Sequence, residues 1–464
     1  MTTTGRGRWR LNSLERMVGR VMVLVGISIG SAGSSAADEP DAAWSSFLSF
    51  APEAIDAERL PVAWTPNDVT WKARLVGYGQ SSPALWRDRL FVTTVTGPMK
   101  DVYHVSCLDT ATGETDWVYS FDSSWPSESS TRVSRAAPTP VVDSEAVYAF
   151  FESGDLVCLG HDGKLRWSRA LQRDWGEFDN RFGISASPAH SDRCLFVLVD
   201  HEGESRLAAI DKQTGREQWV VPRGPRSRTW SSPGLVRVGD TTVVVCSSSG
   251  TVDGYLVDNG NRVFSTADVG GNTVATPIDL GDGEFLVASL IRPADGPAEN
   301  AATSNRKMKI VREGDRWRLE TGWVAEAARG GFCSPVGDSL CCYWLNPVGV
   351  LFCLDRETGQ EHYARRLSCG ACWATPIVVG NRLYLFGKDG ETVVARSGPR
   401  LEMISEANRV WPEDEPPSAS EQLGQPPTAD DNPIQPAPTL YSVLAIDGAL
   451  IFRRGDVVYR VDSR

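Results

Sequence analysis

The chain has 464 residues, with 47 Lys and Arg against 59 Asp and Glu and a formal net charge of −12. An acidic balance with no compensating basic stripe excludes sequence-independent nucleic-acid binding, which needs clustered cations to neutralise phosphates. Hydrophobic residues make up 41%, and there are 43 Gly and 28 Pro; that is enough burial for a core and enough turn residues for many short strands, so disorder of the whole chain is excluded too.

At the start of the chain, Arg6, Arg8, Arg10, Arg16 and Arg20 precede an apolar run from Val21 to Ile29, and small residues follow to Ala36-Ala37. This pattern predicts a cleaved signal peptide over residues 1–37 and a periplasmic or secreted mature chain. The apolar run is shorter than the ~20 residues of a spanning helix, and no later run is long enough, so the mature chain is expected to have no membrane span. No Cys precedes Cys107, so no lipidated cysteine is expected at the cleavage point. Losing five Arg and one Glu with this segment moves the formal charge to about −16. Residues 38–61 form a lead segment.

From residue 62 to the end the sequence repeats. A Ser-Pro or Thr-Pro step returns seven times, at Ser82, Thr139, Ser187, Ser232, Thr276, Ser334 and Thr375. Strand-like segments such as Leu90-Phe91-Val92, Val147-Tyr148-Ala149, Leu195-Phe196-Val197 and Leu383-Tyr384-Leu385 follow after a polar turn. The proline therefore marks a strand start, where its missing N–H costs least. A second signature runs from Leu108-Asp109 through Thr112-Gly113 to Trp117, from Ile210-Asp211 through Thr214-Gly215 to Trp219, and from Leu354-Asp355 through Thr358-Gly359 to Tyr363. Weaker copies lead to Trp167 and Phe264. The pattern describes a hairpin whose Asp caps the turn, whose Gly takes positive φ, and whose aromatic packs between repeats. Each repeat is then a four-stranded antiparallel unit that must stack on its neighbours to bury both faces.

The eighth repeat supplies only three strands, around Tyr441-Ser442-Val443, Gly448 to Phe452 and Val457 to Val461, before the chain stops. Thr70 to Leu75 has no repeat of its own and is predicted to provide the fourth. The expected architecture is an all-β, eight-bladed propeller closed by pairing an N-terminal strand with the C-terminal blade, which removes the open edges. Two stretches interrupt it: a Pro- and acid-rich segment at 412–438, expected as a disordered loop inside the last blade, and an insertion from Arg292 to Lys309 in blade five.

The Leu-Asp-x-x-Thr-Gly-x-x-x-Trp core resembles the pyrroloquinoline-quinone-like (PQQ-like) propeller repeat, over roughly residues 62–464. That repeat occurs in quinoprotein alcohol dehydrogenases and in the propeller lipoprotein of the outer-membrane β-barrel assembly machinery. The resemblance implies a PQQ-like propeller exported across a membrane, and it implies neither activity. Quinoprotein dehydrogenases carry a calcium site of Glu, Asn and Asp with a catalytic Asp, and these fall on no identifiable positions here. The assembly lipoprotein has an anchor cysteine that this chain lacks.

Few residues suggest chemistry. In quinoprotein dehydrogenases an adjacent cysteine pair forms a disulfide beside the cofactor; Cys341-Cys342 is expected instead as a buried pair in the second strand of blade six. Cys369-Gly370-Ala371-Cys372 has the spacing of redox and zinc sites, without the following His of haem attachment or the second pair zinc would need, so a structural disulfide or free thiols are expected. Cys107, Cys158 and Cys353 recur in one strand slot, which indicates packing. His104, His161, His190, His201 and His362 are scattered over separate blades, so neither a metal site nor a catalytic residue is expected. Gly26 to Gly30 matches a nucleophile elbow only inside the signal peptide.

One constellation depends on the repeat. The residues three before each strand-start proline, namely Gln80, Ala137, Ser185, Val274, Trp230, Phe332 and Trp373, should recur around the mouth of the central channel. Gln80, Ser185, Trp230, Phe332 and Trp373 are the candidate binding residues, with the three aromatics able to stack a flat ligand or grip a side chain. The favoured function is a non-catalytic, monomeric binding scaffold of the cell envelope, with no cofactor and an envelope protein or peptide as partner. The alternative is a PQQ-dependent alcohol or sugar dehydrogenase with a divergent site.

Overall fold

The computed structural model describes residues 44–49, 55–129, 133–226, 229–290, 303–413, 415 and 441–464. The segment predicted as a signal peptide, parts of the lead segment and most of the segment at 412–438 lie outside the described residues. Eight four-stranded sheets make up the fold. Seven are consecutive in the chain, spanning residues 84–122, 141–170, 189–224, 234–266, 278–324, 336–366 and 377–408. The eighth combines Tyr441–Ile446, Ala449–Arg454 and Val457–Asp462 with Val69–Arg74. Val69–Arg74 pairs antiparallel with Val457–Asp462, so the expected closure between the two ends is present.

Each of the seven Pro steps sits immediately before the first strand of its blade; Ala84–Trp86 follows Pro83 and Ile377–Val379 follows Pro376. The hydroxyl at each step has a second role. The backbone N–H of Ser82 donates to Thr139 Oγ1 (3.0 Å), that of Thr139 to Ser187 Oγ (2.9 Å), and that of Ser187 to Ser232 Oγ (2.9 Å). Ser232 continues to Thr276 (3.1 Å), Thr276 to Ser334 (3.0 Å) and Ser334 to Thr375 (3.1 Å). Seven first strands are thus tied blade to blade by six side-chain oxygens, one at each seam, which also satisfy N–H groups at a buried position. Register places Ser442 in the corresponding slot of blade eight, opposite Arg453. There the hydroxyl is buried without a hydrogen-bond partner among the described residues. At the next seam, between blades eight and one, the buried guanidinium of Arg453 donates to the carbonyls of Ser81 and Thr93, each at 2.6 Å.

Second strands are apolar on both faces because each face meets a neighbouring blade; all six residues of Cys194–Val199 are buried. Fourth strands alternate, as in Thr115–Asp122, because they form the rim. At the rim a tryptophan links successive blades. Trp71, Trp117, Trp167, Trp219 and Trp323 donate their indole N–H to the carbonyls of Thr110, His161, Lys212, Val257 and Arg356 at 2.8–3.0 Å. Their rings lie on Gly113, Gly163, Gly215, Gly260 and Gly359, where an added Cβ would come within 2.6–2.7 Å of the indole. The Asp-Thr-Gly hairpin and the returning Trp are therefore the two halves of one inter-blade joint.

Blade four breaks the series. It presents Phe264 rather than Trp, the facing turn glycine, Gly314, has no atom within 4 Å of an added Cβ, and a cavity of about 370 Å³ opens between Phe264 and Trp317. Two expectations need correction. Residues 306–309 belong to the third strand of blade five, Arg306–Glu313, because they pair with both neighbouring strands; the insertion is correspondingly shorter. The segment at 412–438 joins the last strand of blade seven, Glu402–Asn408, to the first of blade eight, so it lies between blades rather than within one.

The rim joint separates two costs of replacing glycine. Gly314 (φ +61°) and Gly215 (φ +68°) occupy equivalent turns, but only Gly215 lies under an indole. Gly314→Ala should cost about 1 kcal/mol of stability and Gly215→Ala about 3 kcal/mol, by urea denaturation. Equal costs would show that the indole does not depend on the missing side chain.

Candidate functional site

First strands are innermost in every blade, so the residues that lead into them and those that end them lie around the propeller axis. All seven residues three before the prolines are partly exposed. Phe332 and Trp373, from blades six and seven, stack with ring centroids 4.0 Å apart and planes 24° from parallel. Trp230 has a different partner: its ring packs on Phe182 at 5.5 Å and its indole N–H donates to Asn180 Oδ1 at 3.2 Å. Gln80 is held by the Arg135 backbone, accepting at Oε1 from its N–H (2.9 Å), and the Arg135 guanidinium lies 3.6 Å from the centre of the Tyr78 ring. Ser185, partly exposed, follows the buried Ile184. The three aromatics thus fall into two pairs, with no ring contact between the pairs among the described residues. Phe182 was not foreseen, because it lies in a connecting loop outside the repeat's periodic positions.

The other ends of the first strands hold a segment the repeat pattern does not reveal. Trp44 donates its indole N–H to Ala445 O (2.6 Å) and accepts from Leu85 N–H at its carbonyl (2.9 Å). Ser45 O accepts from Val142 N–H (2.8 Å), and Ser45 Oγ meets His190 Nε2 at 2.9 Å. Those four partners belong to the first strands of blades eight, one, two and three, each three residues past its hydroxyl step. Trp44 and Ser46 are buried there. The chain next appears at residues 55–64 against blade seven, where Arg382 donates to Leu60 O (2.9 Å) and Tyr384 to Pro61 O (3.1 Å), before entering blade eight as its rim strand. A Trp in a segment without a repeat of its own was the available signal.

The cysteine pair does not face this region. Cys341 packs with Tyr343 and Cys353 in the core between blades six and seven, whereas Cys342 packs with Trp344 and Leu286 between blades five and six. Adjacent strand residues point to opposite faces, so the two thiols share no ligand. Cys107, Cys158 and Cys353 do share one slot, paired across the hairpin with Trp117, Trp167 and Tyr363. A quinone would need a slot for its planar ring and donors for its cation. The Phe332–Trp373 rings already lie against each other, and no group of three His, Cys, Asp or Glu among the described residues is arranged for a metal. The stacked pair therefore leaves no slot between its own rings, and no reaction step is assigned to a quinone. Two buried charge clusters elsewhere are paired within the fold: Arg223 with Asp200 (2.9 Å) and Asp253 (3.3 Å), and Lys100 with Glu152 (3.7 Å).

With this geometry in place, the comparisons with known proteins carry weight. A family model described as the outer membrane protein assembly factor BamB matches residues 2–183 and 177–285, more than half of the chain. The chain belongs to the PQQ-like β-propeller family. Among solved structures, this PQQ-like propeller is similar to BamB from Moraxella catarrhalis: 14% identity, TM-score 0.55, covering 84% of this chain and 96% of that one. It is also similar to the quinohemoprotein alcohol dehydrogenase from Comamonas testosteroni, at 12% identity and TM-score 0.51, covering 92% and 81%. The computationally designed Ika8 protein matches at 12% identity and TM-score 0.50, covering 84% and 98%. At such identities these likenesses describe the fold alone. No curated protein sequence matches the chain. No helix among the described residues is long and apolar enough to cross a membrane.

His190 offers a test of how Trp44–Ser49 is held. Lys212 Nζ can only donate, so His190 Nδ1 accepts from it (3.0 Å) and Nε2–H donates to Ser45. Burial, helped by the Lys212 charge, draws the His190 pKa down to about 4. The unfolded chain takes the proton near pH 6.5 and the folded chain only near 4, so this contribution is complete above 6.5 and lost as pH falls, by up to about 3 kcal/mol. Between pH 7.5 and 4.5 the protein should lose about 2 kcal/mol more stability in urea than His190→Gln does. Equal losses would mean that the ring is not held neutral.

Proposed function

We propose that this PQQ-like propeller is a non-catalytic, exported scaffold that binds a protein or peptide of the cell envelope through its channel mouth. The observation that carries the reading is the pair of partly exposed aromatic clusters, Phe332–Trp373 and Trp230–Phe182. Gln80 and Ser185 stand at the same step of blades one and three and offer polar groups there. Flat apolar faces flanked by amide and hydroxyl groups suit a peptide, whose side chains stack while its backbone hydrogen-bonds. Trp44–Ser49 occupies the other end of the first strands, which leaves the mouth as the accessible side. The match to a family named for outer membrane protein assembly supports a protein partner over a small substrate. In this reading the mature chain is periplasmic or secreted, acts as a monomer and carries no cofactor.

Two measurements test the proposal. Trp230→Ala and Trp373→Ala should each weaken capture of the envelope partner at least tenfold, a loss of about 1.4 kcal/mol or more, with the fold intact by circular dichroism. Capture unchanged by both substitutions would remove the mouth from the interface. Titration with pyrroloquinoline quinone and calcium should leave tryptophan fluorescence unchanged and reduce no dye with an alcohol panel. Saturable quenching with turnover would replace the scaffold by a dehydrogenase.

A further inference from the structure

Five of the ten cysteines, Cys333, Cys341, Cys353, Cys369 and Cys372, share the core between blades six and seven. Within it the Cys369 and Cys372 sulfurs are 3.9 Å apart. Backbone geometry holds them there. Gly370 between them takes φ +69°, and the Cys372 thiol reaches the Gly370 carbonyl at 3.6 Å. The turn is wedged between two others: a Cβ on Gly349 of blade six would strike the Gly370 carbonyl, and one on Gly387 of blade seven would strike that of Cys369. Lys388 N–H donates to Ala371 O at 2.6 Å, and Cys372 forms a β-bridge with Gly387. The next residue is Trp373, stacked on Phe332, which is itself followed by Cys333.

We propose that Cys369 and Cys372 are a redox modification site, forming a reversible disulfide by exchange with a low-molecular-weight disulfide and stapling the turn that carries Trp373. The sulfurs need only close from contact to the ~2.05 Å of an S–S bond. Cys369, 7% exposed against 0% for Cys372, is the outer thiol. Its thiolate attacks one sulfur of the external disulfide, forming a mixed disulfide and releasing one thiol. Hydrogen bonding to Cys369, followed by burial, holds the Cys372 pKa far above that of an ordinary thiol, so Cys372 is not the first nucleophile. Once Cys369 is capped that hydrogen bond is gone. Cys372 then loses its proton, attacks Cys369 Sγ and expels the second thiol. In sum the two protein thiols give up two protons and two electrons, and the external disulfide takes both to become two thiols.

The test uses the full chain equilibrated with oxidised glutathione, acid-quenched, denatured, alkylated and mapped by mass spectrometry. Two of the ten thiols should be lost to alkylation, both in the peptide carrying 369–372, whose mass falls by two hydrogens and recovers with dithiothreitol. Cys372→Ser should instead trap glutathione on Cys369, and bridging should shift the tryptophan emission of the unsubstituted protein but not of Trp373→Phe. The proposal fails if both thiols stay alkylatable in the oxidising buffer, or if either pairs with Cys333, Cys341 or Cys353. Should Cys372→Ser not fold, the peptide map of the unsubstituted protein decides alone. None of these readouts depends on what the channel mouth binds.

Discussion

The fold depends on how eight innermost strands are held at a fixed distance from a common axis. A proline at each strand start removes one N–H and keeps the preceding residue out of helical geometry. That preceding residue is Ser or Thr in seven blades, and in six of them, from Thr139 to Thr375, its hydroxyl accepts the N–H of its counterpart one blade back. Spacing between neighbouring first strands is thereby set by hydrogen-bond length rather than by side-chain volume alone. Each link is worth about 1 kcal/mol net, but each also spares a buried N–H whose loss of a partner would cost more.

At the rim a second, independent system does the same work. The indoles span from one blade to the turn of the next, combining apolar area with a hydrogen bond to a carbonyl. Blade six carries Tyr363 at this place and blade four Phe264, and between blades four and five a cavity lies between Phe264 and Trp317. Between blades eight and one, where no such hydroxyl link joins the first strands, the buried Arg453 ties the blades through two main-chain carbonyls. The ring is uniform in topology and uneven in how its seams are held.

Much of this architecture is legible in the sequence, because repeat punctuation is a local signal. Pro83 and its counterparts mark strand starts, and the Asp-Thr-Gly turns announce hairpins. The unpaired segment around Trp71 could be matched to the missing strand by counting. What escaped was non-local: that the Ser and Thr hydroxyls face each other across blades, that Trp230 meets Phe182 rather than the Phe332–Trp373 pair, and that Trp44–Ser49 touches four first strands. Those contacts join residues far apart in sequence and have no period of their own. The candidate site was legible as a set of positions, since the phase of the repeat fixes which residues flank the axis. Its pairing was not, since loops between blades differ in length and carry their own aromatics.

The contacts of Trp44 bear on how the ring assembles. Its indole bonds to Ala445, 401 residues along the chain, and the rim strand of blade eight comes from residues 69–74. Closing a loop of that length costs about 5 kcal/mol in chain entropy beyond a constant. Seven blades can form in the order in which they are synthesised, each on the face of the last. The first residues of the propeller, by contrast, must wait until the final three strands have left the ribosome. Until then the face of blade one that blade eight covers stays open, although Trp44 and Ser45 can already reach the first strands of blades one, two and three. This protein is therefore vulnerable to aggregation throughout its synthesis and protected only at the last step.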